Sequence, residues 1–194
     1  MHHFIPPSEQ SLEFLKPYRA TDEIFSFPSG EKVPIAKYFL KFKKWQGKPI
    51  ENTFGNKALI DVNGKPMFAE FAIMHLFRNN GWESRWVETY AKGKMNPLIL
   101  SEWKDERYKN QIPNPIEDKD ILECLYNIAK QNNNSYAGCW DILAWRDKEI
   151  IFVESKRQKK DRVQDSQIKW LEASLAHNLK PENFALVEWI IELK

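Results

Sequence analysis

The sequence predicts an α/β fold, a mixed β-sheet flanked by helices, and three observations carry that prediction. From residue 66 onward the apolar pattern runs in the order helix, strand, helix, hairpin, helix, strand. Two short apolar runs within "DILAWRDKEIIFVESK", residues 141–156, meet at Asp147-Lys148 and read as the hairpin. Apolar residues occur on both faces of that hairpin. Leu143, Trp145, Ile150 and Phe152 lie on one face and Ile142, Ala144, Ile151 and Val153 on the other, so both need a covering layer.

A chain of 194 residues with 42% hydrophobic content is long enough for one domain with a substantial core. Residues 1–65 read as an N-terminal extension packed on a core of residues 66–194, with an inserted loop region at about 91–117. Charge is nearly balanced, 29 basic against 27 acidic residues, so any nucleic-acid surface has to be local. Cys124 and Cys139 lack metal-ligand spacing, and a reduced, cytoplasmic compartment is the simpler expectation. The opening "MHHFIPPSEQ" lacks the pattern of a signal peptide, and no apolar run approaches membrane-spanning length. No membrane association is expected.

Each element has its own signal. "FPSGEKVPIAKYFLKFKKWQGKP" mixes aromatic and basic residues, a pattern of amphipathic surface or, less often, of a nucleic-acid contact. "PMFAEFAIMHLFRNNGW" predicts a helix opened by Pro66 and closed near Asn79-Asn80-Gly81. That helix is apolar nearly all round, so its Glu70 needs a partner, whereas His75 reads as a core or boundary residue. Residues 82–90 alternate as a strand. Residues 118–131 form a helix behind an Asp118 cap, with Ile121, Leu122, Leu125, Ile128 and Ala129 at helical spacing. The basic stretch "KRQKKDR", a helix from about Ser166 to His177, and the strand "FALVEWIIEL" complete the chain.

A two-residue turn at Asp147-Lys148 sets Arg146 opposite Glu149, Trp145 opposite Ile150 and Asp141 opposite Glu154. Directly opposed side chains stand roughly 4.5 to 5.5 Å apart at Cβ, so two carboxylates meet. Lys156 returns to the face of Glu154 by strand alternation. Carboxylates this close repel unless one is protonated or a cation lies between them, and hard oxygen ligands favour Mg²⁺ or Mn²⁺. From spacing alone two readings stand: a surface ion cluster at a hairpin end, or a metal site with a lysine beside it.

Asp141, followed after twelve residues by Glu154-Ser155-Lys156, resembles the motif of the PD-(D/E)XK nuclease superfamily, whose core is the restriction endonuclease-like fold. "GCWD…FVESKRQKKDRVQDSQIKWLEASL" is similar more narrowly to the VRR-NUC type, with its Gly-x-x-Asp, Glu-x-Lys and later Gln-x-x-Trp. Trp140 departs from the pattern, which usually has proline there. The resemblance implies that Asp141 and Glu154 ligate Mg²⁺ or Mn²⁺ with the Ser155 backbone carbonyl, and that Lys156 is the catalytic lysine. It also implies that Glu70 approaches the metal from the first core helix. Gln167 would line the site at a helix start, where backbone donors favour phosphate, and Trp170 would be core. Arg157, Lys159, Lys160 and Arg162, beside such a site, would hold a nucleic-acid backbone without sequence choice.

The function so implied is metal-dependent hydrolysis of phosphodiester bonds in DNA, in repair, recombination, restriction or mobile-element defence. RNA is left open as a substrate, and a homodimer is compatible with the sequence. The alternative is a catalytically idle nuclease fold that binds nucleic acid or a protein; the intact Asp141, Glu154 and Lys156 argue against it. A carbohydrate- or peptide-binding domain rests on aromatic content alone.

Overall fold

The computed structural model describes residues 4–192, which form one mixed sheet with helices on both faces. Strands β1 (Glu23–Ser26), β2 (Lys32–Lys44), β3 (Ile60–Val62) and β4 (Lys65–Met67) come first. Helix α1 (Ala69–Arg78), β5 (Glu83–Glu88), β6 (Leu98–Leu100) and α2 (Lys119–Gln131) follow. The hairpin β7 (Ile142–Arg146) and β8 (Glu149–Arg157), helix α3 (Asp165–Ala176) and β9 (Phe184–Glu192) end the fold. The sheet order is β4-β3-β2-β9-β8-β7-β5-β6, and β1 pairs with the start of β2.

Two of the pairings, β2 with β9 and β8 with β9, are parallel. Parallel neighbours need a crossover, and α3 provides it between β8 and β9. The two faces of the sheet bury separate cores. Leu143, Trp145, Ile150 and Phe152 pack with α2 and α3, whereas Ile142, Ala144, Ile151 and Val153 pack with α1. This is the division that the hairpin's alternation predicts. The register also agrees: Arg146 pairs with Glu149 and Ile142 with Val153. Asp147 takes a left-handed φ of 53°, which lets so short a turn follow the twist of the strands.

Other expectations need correction. Pro66 does not open α1; it lies in β4 opposite Asp61, and the helix begins at Ala69, so the chain makes a strand where the proline suggests a helix start. The strand expected at 82–90 is shorter, and Tyr90 falls outside it and is exposed. The region 91–117 contains β6, paired with β5. Most unlike the expectation, residues 23–67 add four strands to the sheet, and β2 runs beside β9 from Ala36 to Lys43. Their alternation is hard to see because β2 carries Pro34 and five lysines, which give it the look of a charged surface segment.

Asp118 caps α2 through its side chain, accepting from the Asp120 and Ile121 amides. Trp170 is fully buried, and Cys124 and Cys139 are buried free thiols. Among the described residues no helix is long and apolar enough to cross a membrane. The last residue of the final strand's expected span, Leu193, lies outside the described residues.

Candidate active site

The hairpin's open end and the start of α3 face the same space, and backbone geometry explains why. Gly138 has φ of 82°, and a Cβ there would stand 2.0 Å from the Ser166 carbonyl oxygen, so only glycine lets this loop pass so close to α3. Two residues on, the Trp140 indole donates to the Gln167 carbonyl at 3.3 Å and packs on Phe25 and Phe184. Trp140 thereby stiffens the approach to Asp141 by packing and a hydrogen bond. Asp141 continues the ladder, its carbonyl accepting from Val87 N–H at 2.8 Å, and its Oδ2 accepts from Ser155 N–H at 3.0 Å.

Glu154 stands beside it, 2% exposed. Its Oε1 accepts from Lys156 Nζ at 2.7 Å and from Gln167 Nε2 at 2.6 Å. Its Oε2 is buried with no hydrogen-bond partner. Burial first, and then the adjacent Asp141 charge, push the Glu154 carboxyl well above the carboxylate range, against the pull of Lys156. Burial lowers the Lys156 ammonium, but Glu154 and Asp141 outweigh it and the group stays raised. Gln167 does double duty: its Oε1 accepts from Gln164 N–H at 2.9 Å in the capping box of α3 while its amide holds Glu154.

These groups open on a cleft of about 570 Å³ lined by Lys57, Glu70, Asp141, Glu154, Ser155, Lys156, Lys159, Lys160, Asp161, Arg162, Gln164 and Gln167. Asp141, Glu154 and Glu70 lie with the sheet end and α1; Lys159, Lys160 and Arg162, with Asp161 among them, come from the segment after β8. Of the residues expected at a site, the cleft therefore gathers Asp141, Glu154, Ser155, Lys156, Glu70, Gln167, Lys159, Lys160 and Arg162. Arg157 is not among its lining; its guanidinium lies over the Trp189 ring at 5.7 Å.

Two residues give no sequence signal. Lys57 reaches the cleft from the segment before β3 and pairs with Glu70, so the carboxylate that α1 buries is neutralised by a lysine. Among the described residues, no three His, Cys, Asp or Glu side chains converge to hold a metal. Glu88, at the end of β5, lies within electrostatic reach of Asp141, Lys57 and Glu70, and its Oε1 accepts from Tyr90 N–H at 2.7 Å. Burial first, and the Asp141 and Glu70 charges with it, lift Glu88 from the ordinary 4.5 to about 7 although Tyr90 N–H and Lys57 favour the anion.

A carboxyl raised in the fold binds its proton more tightly there than in the unfolded chain. Its stabilisation is full below pH 4.5 and lost as the pH rises through about 7. The melting temperature of metal-free protein is thus expected to fall across that window, and Glu88→Gln, which stays neutral, to lessen the fall. Thermal melts in EDTA check this. An undiminished pH slope in the variant would remove Glu88 as its source.

The residues present suit a hard divalent cation. Asp141 and Glu154 offer carboxylate oxygens, and the unpartnered buried Oε2 of Glu154 is an acceptor that a cation would satisfy. Comparison with curated proteins and with solved structures found no match. The family model of the VRR-NUC domain matches residues 78–186, more than half of the chain, and this span includes Asp141, Glu154, Lys156 and Gln167 but not Lys57 or Glu70. With that match and a mixed sheet of restriction endonuclease-like form, the chain belongs to the VRR-NUC family, within the PD-(D/E)XK nuclease-like superfamily.

Proposed function

We propose that this protein is a nuclease that hydrolyses phosphodiester bonds in DNA with Mg²⁺ or Mn²⁺. The observation that carries the proposal is Glu154, a buried carboxylate with one oxygen held by Lys156 and Gln167 and the other without a donor, beside Asp141 in a cleft with a basic side. Asp141, Glu154 and the Ser155 carbonyl would hold the cation. Bound there, it supplies positive charge that polarises a phosphoryl oxygen and favours ionisation of water.

The chain's own residues do the rest. Lys156, anchored on Glu154, is placed to orient the attacking water and to offset charge growing on the phosphoryl group. Gln167 keeps Glu154 oriented, and the start of α3 adds backbone donors for a phosphate. Lys159, Lys160 and Arg162 hold the backbone of the strand. Arg157, over Trp189, would meet nucleic acid only beyond the cleft.

Incubation with plasmid, single-stranded DNA, branched DNA and RNA, in Mg²⁺, Mn²⁺ or EDTA, tests the proposal. DNA is expected to be cut with either metal and not with EDTA. Binding without cleavage under every condition would favour the idle nuclease fold instead.

A further inference from the structure

Lys57 is a half-buried cation beside the cleft's carboxylates, and the segment that leads to it is anchored. The Asp105 carboxylate accepts from the Glu51 and Asn52 amides at 2.9 and 2.8 Å, and Trp103 Nε1 donates to the Asn52 carbonyl at 2.8 Å. Phe54, at a left-handed φ of 42°, inserts its ring among Trp86, Trp103 and Tyr108. Lys57 N–H then donates to the Thr53 carbonyl at 3.0 Å, and its ammonium lies over Trp86 at 5.5 Å. So much anchoring is not needed for a surface lysine. Its side chain remains 31% exposed, towards the cleft it lines, while Glu70 is only 9% exposed.

The pairing divides the cleft's charges. Lys156 takes one oxygen of Glu154, and Lys57 takes one oxygen of Glu70 and offsets its charge, so Glu70 is a poorer partner for a cation while the second pair is closed. Burial acts to lower Lys57, but the charges of Glu70, Asp141 and Glu88 keep it protonated.

Resting on the nuclease reading above, we infer that Lys57 is a positioning residue that withholds Glu70 from the acid pair and so sets how tightly the cleft binds a divalent cation. Metal and ammonium compete for one carboxylate. Removing the lysine frees a buried anion that gains most by joining Asp141 and Glu154 around a cation.

Titration calorimetry with Mn²⁺ in the absence of nucleic acid tests this on the full chain. Lys57→Met is expected to bind Mn²⁺ about tenfold more tightly than wild type, the scale of one added charge–charge contact near a protein surface. Lys57→Gln, which keeps a polar head on the loop, should show the same gain, while Lys57→Arg should restore wild-type affinity. In Lys57→Met with Glu70→Gln the gain should vanish, an outcome that loosening of the loop alone would not produce. Wild-type or weaker affinity in both folded neutral variants overturns the inference and leaves the nuclease reading intact. Failure of wild type and variants alike to bind Mn²⁺ overturns both.

Discussion

Lys156→Met is expected to lower DNA cleavage by about a hundredfold to a thousandfold while the protein stays folded, the loss seen when one preorganised charge is removed from a transition state. The methionine keeps most of a stem that is 12% exposed, so packing changes little. What disappears is the ammonium 2.7 Å from Glu154. Glu154, already pushed towards its neutral form by burial and by Asp141, should take up a proton more readily still. Binding of the divalent ion should then weaken as well, and the loss should ease at higher pH, where Glu154 ionises. Asp141→Ala and Glu154→Ala should fall at least as far. Single-turnover cleavage assays check the series, and an unimpaired Lys156→Met would leave the mechanism without its lysine.

The second large effect concerns stability. Glu154 and Asp141 face each other at the hairpin's end, and their repulsion is only partly offset by Lys156 and by Ser155 N–H. A divalent ion that binds the fold and not the unfolded chain should stabilise it by about 2.7 kcal/mol at a hundredfold excess over its dissociation constant. Asp141→Asn keeps an oxygen for Ser155 N–H while removing a charge. In EDTA it should melt no lower than wild type, and the rise on adding Mg²⁺ or Mn²⁺ should shrink. If the variant melts well below wild type without metal and keeps the full metal response, Asp141 is a structural acceptor and not a ligand.

The two halves of the cleft differ in how far they can be read from the chain. Asp141, Glu154 and Lys156 share one hairpin, and a two-residue turn with strict alternation dictates both the pairing Ile142 with Val153 and the face of every side chain between. The hairpin's relations are local, so sequence by itself determined them, together with the division of its apolar residues between two cores. Gln167 lies outside the hairpin; only the resemblance to the Gln-x-x-Trp pattern pointed to it, and the tertiary structure seats it on Glu154.

Glu70 announced only a need, since a carboxylate on so apolar a helix must be paired. Its partner could not be named, because no periodicity links Lys57 to α1; the link runs through a loop anchored by Asp105, Trp103 and Phe54, each distant in sequence or silent about its contacts. Glu88 is likewise an ordinary acid at a strand end until β5 pairs with β7 and sets it near Asp141. The place of β2 beside β9 is of the same kind, for parallel pairing joins segments at opposite ends of the chain and has no turn to mark it. Alternation and turn length act between neighbours and leave their mark in the sequence, whereas ion pairs and parallel ladders depend on where distant segments come to rest, and only the tertiary structure decided those.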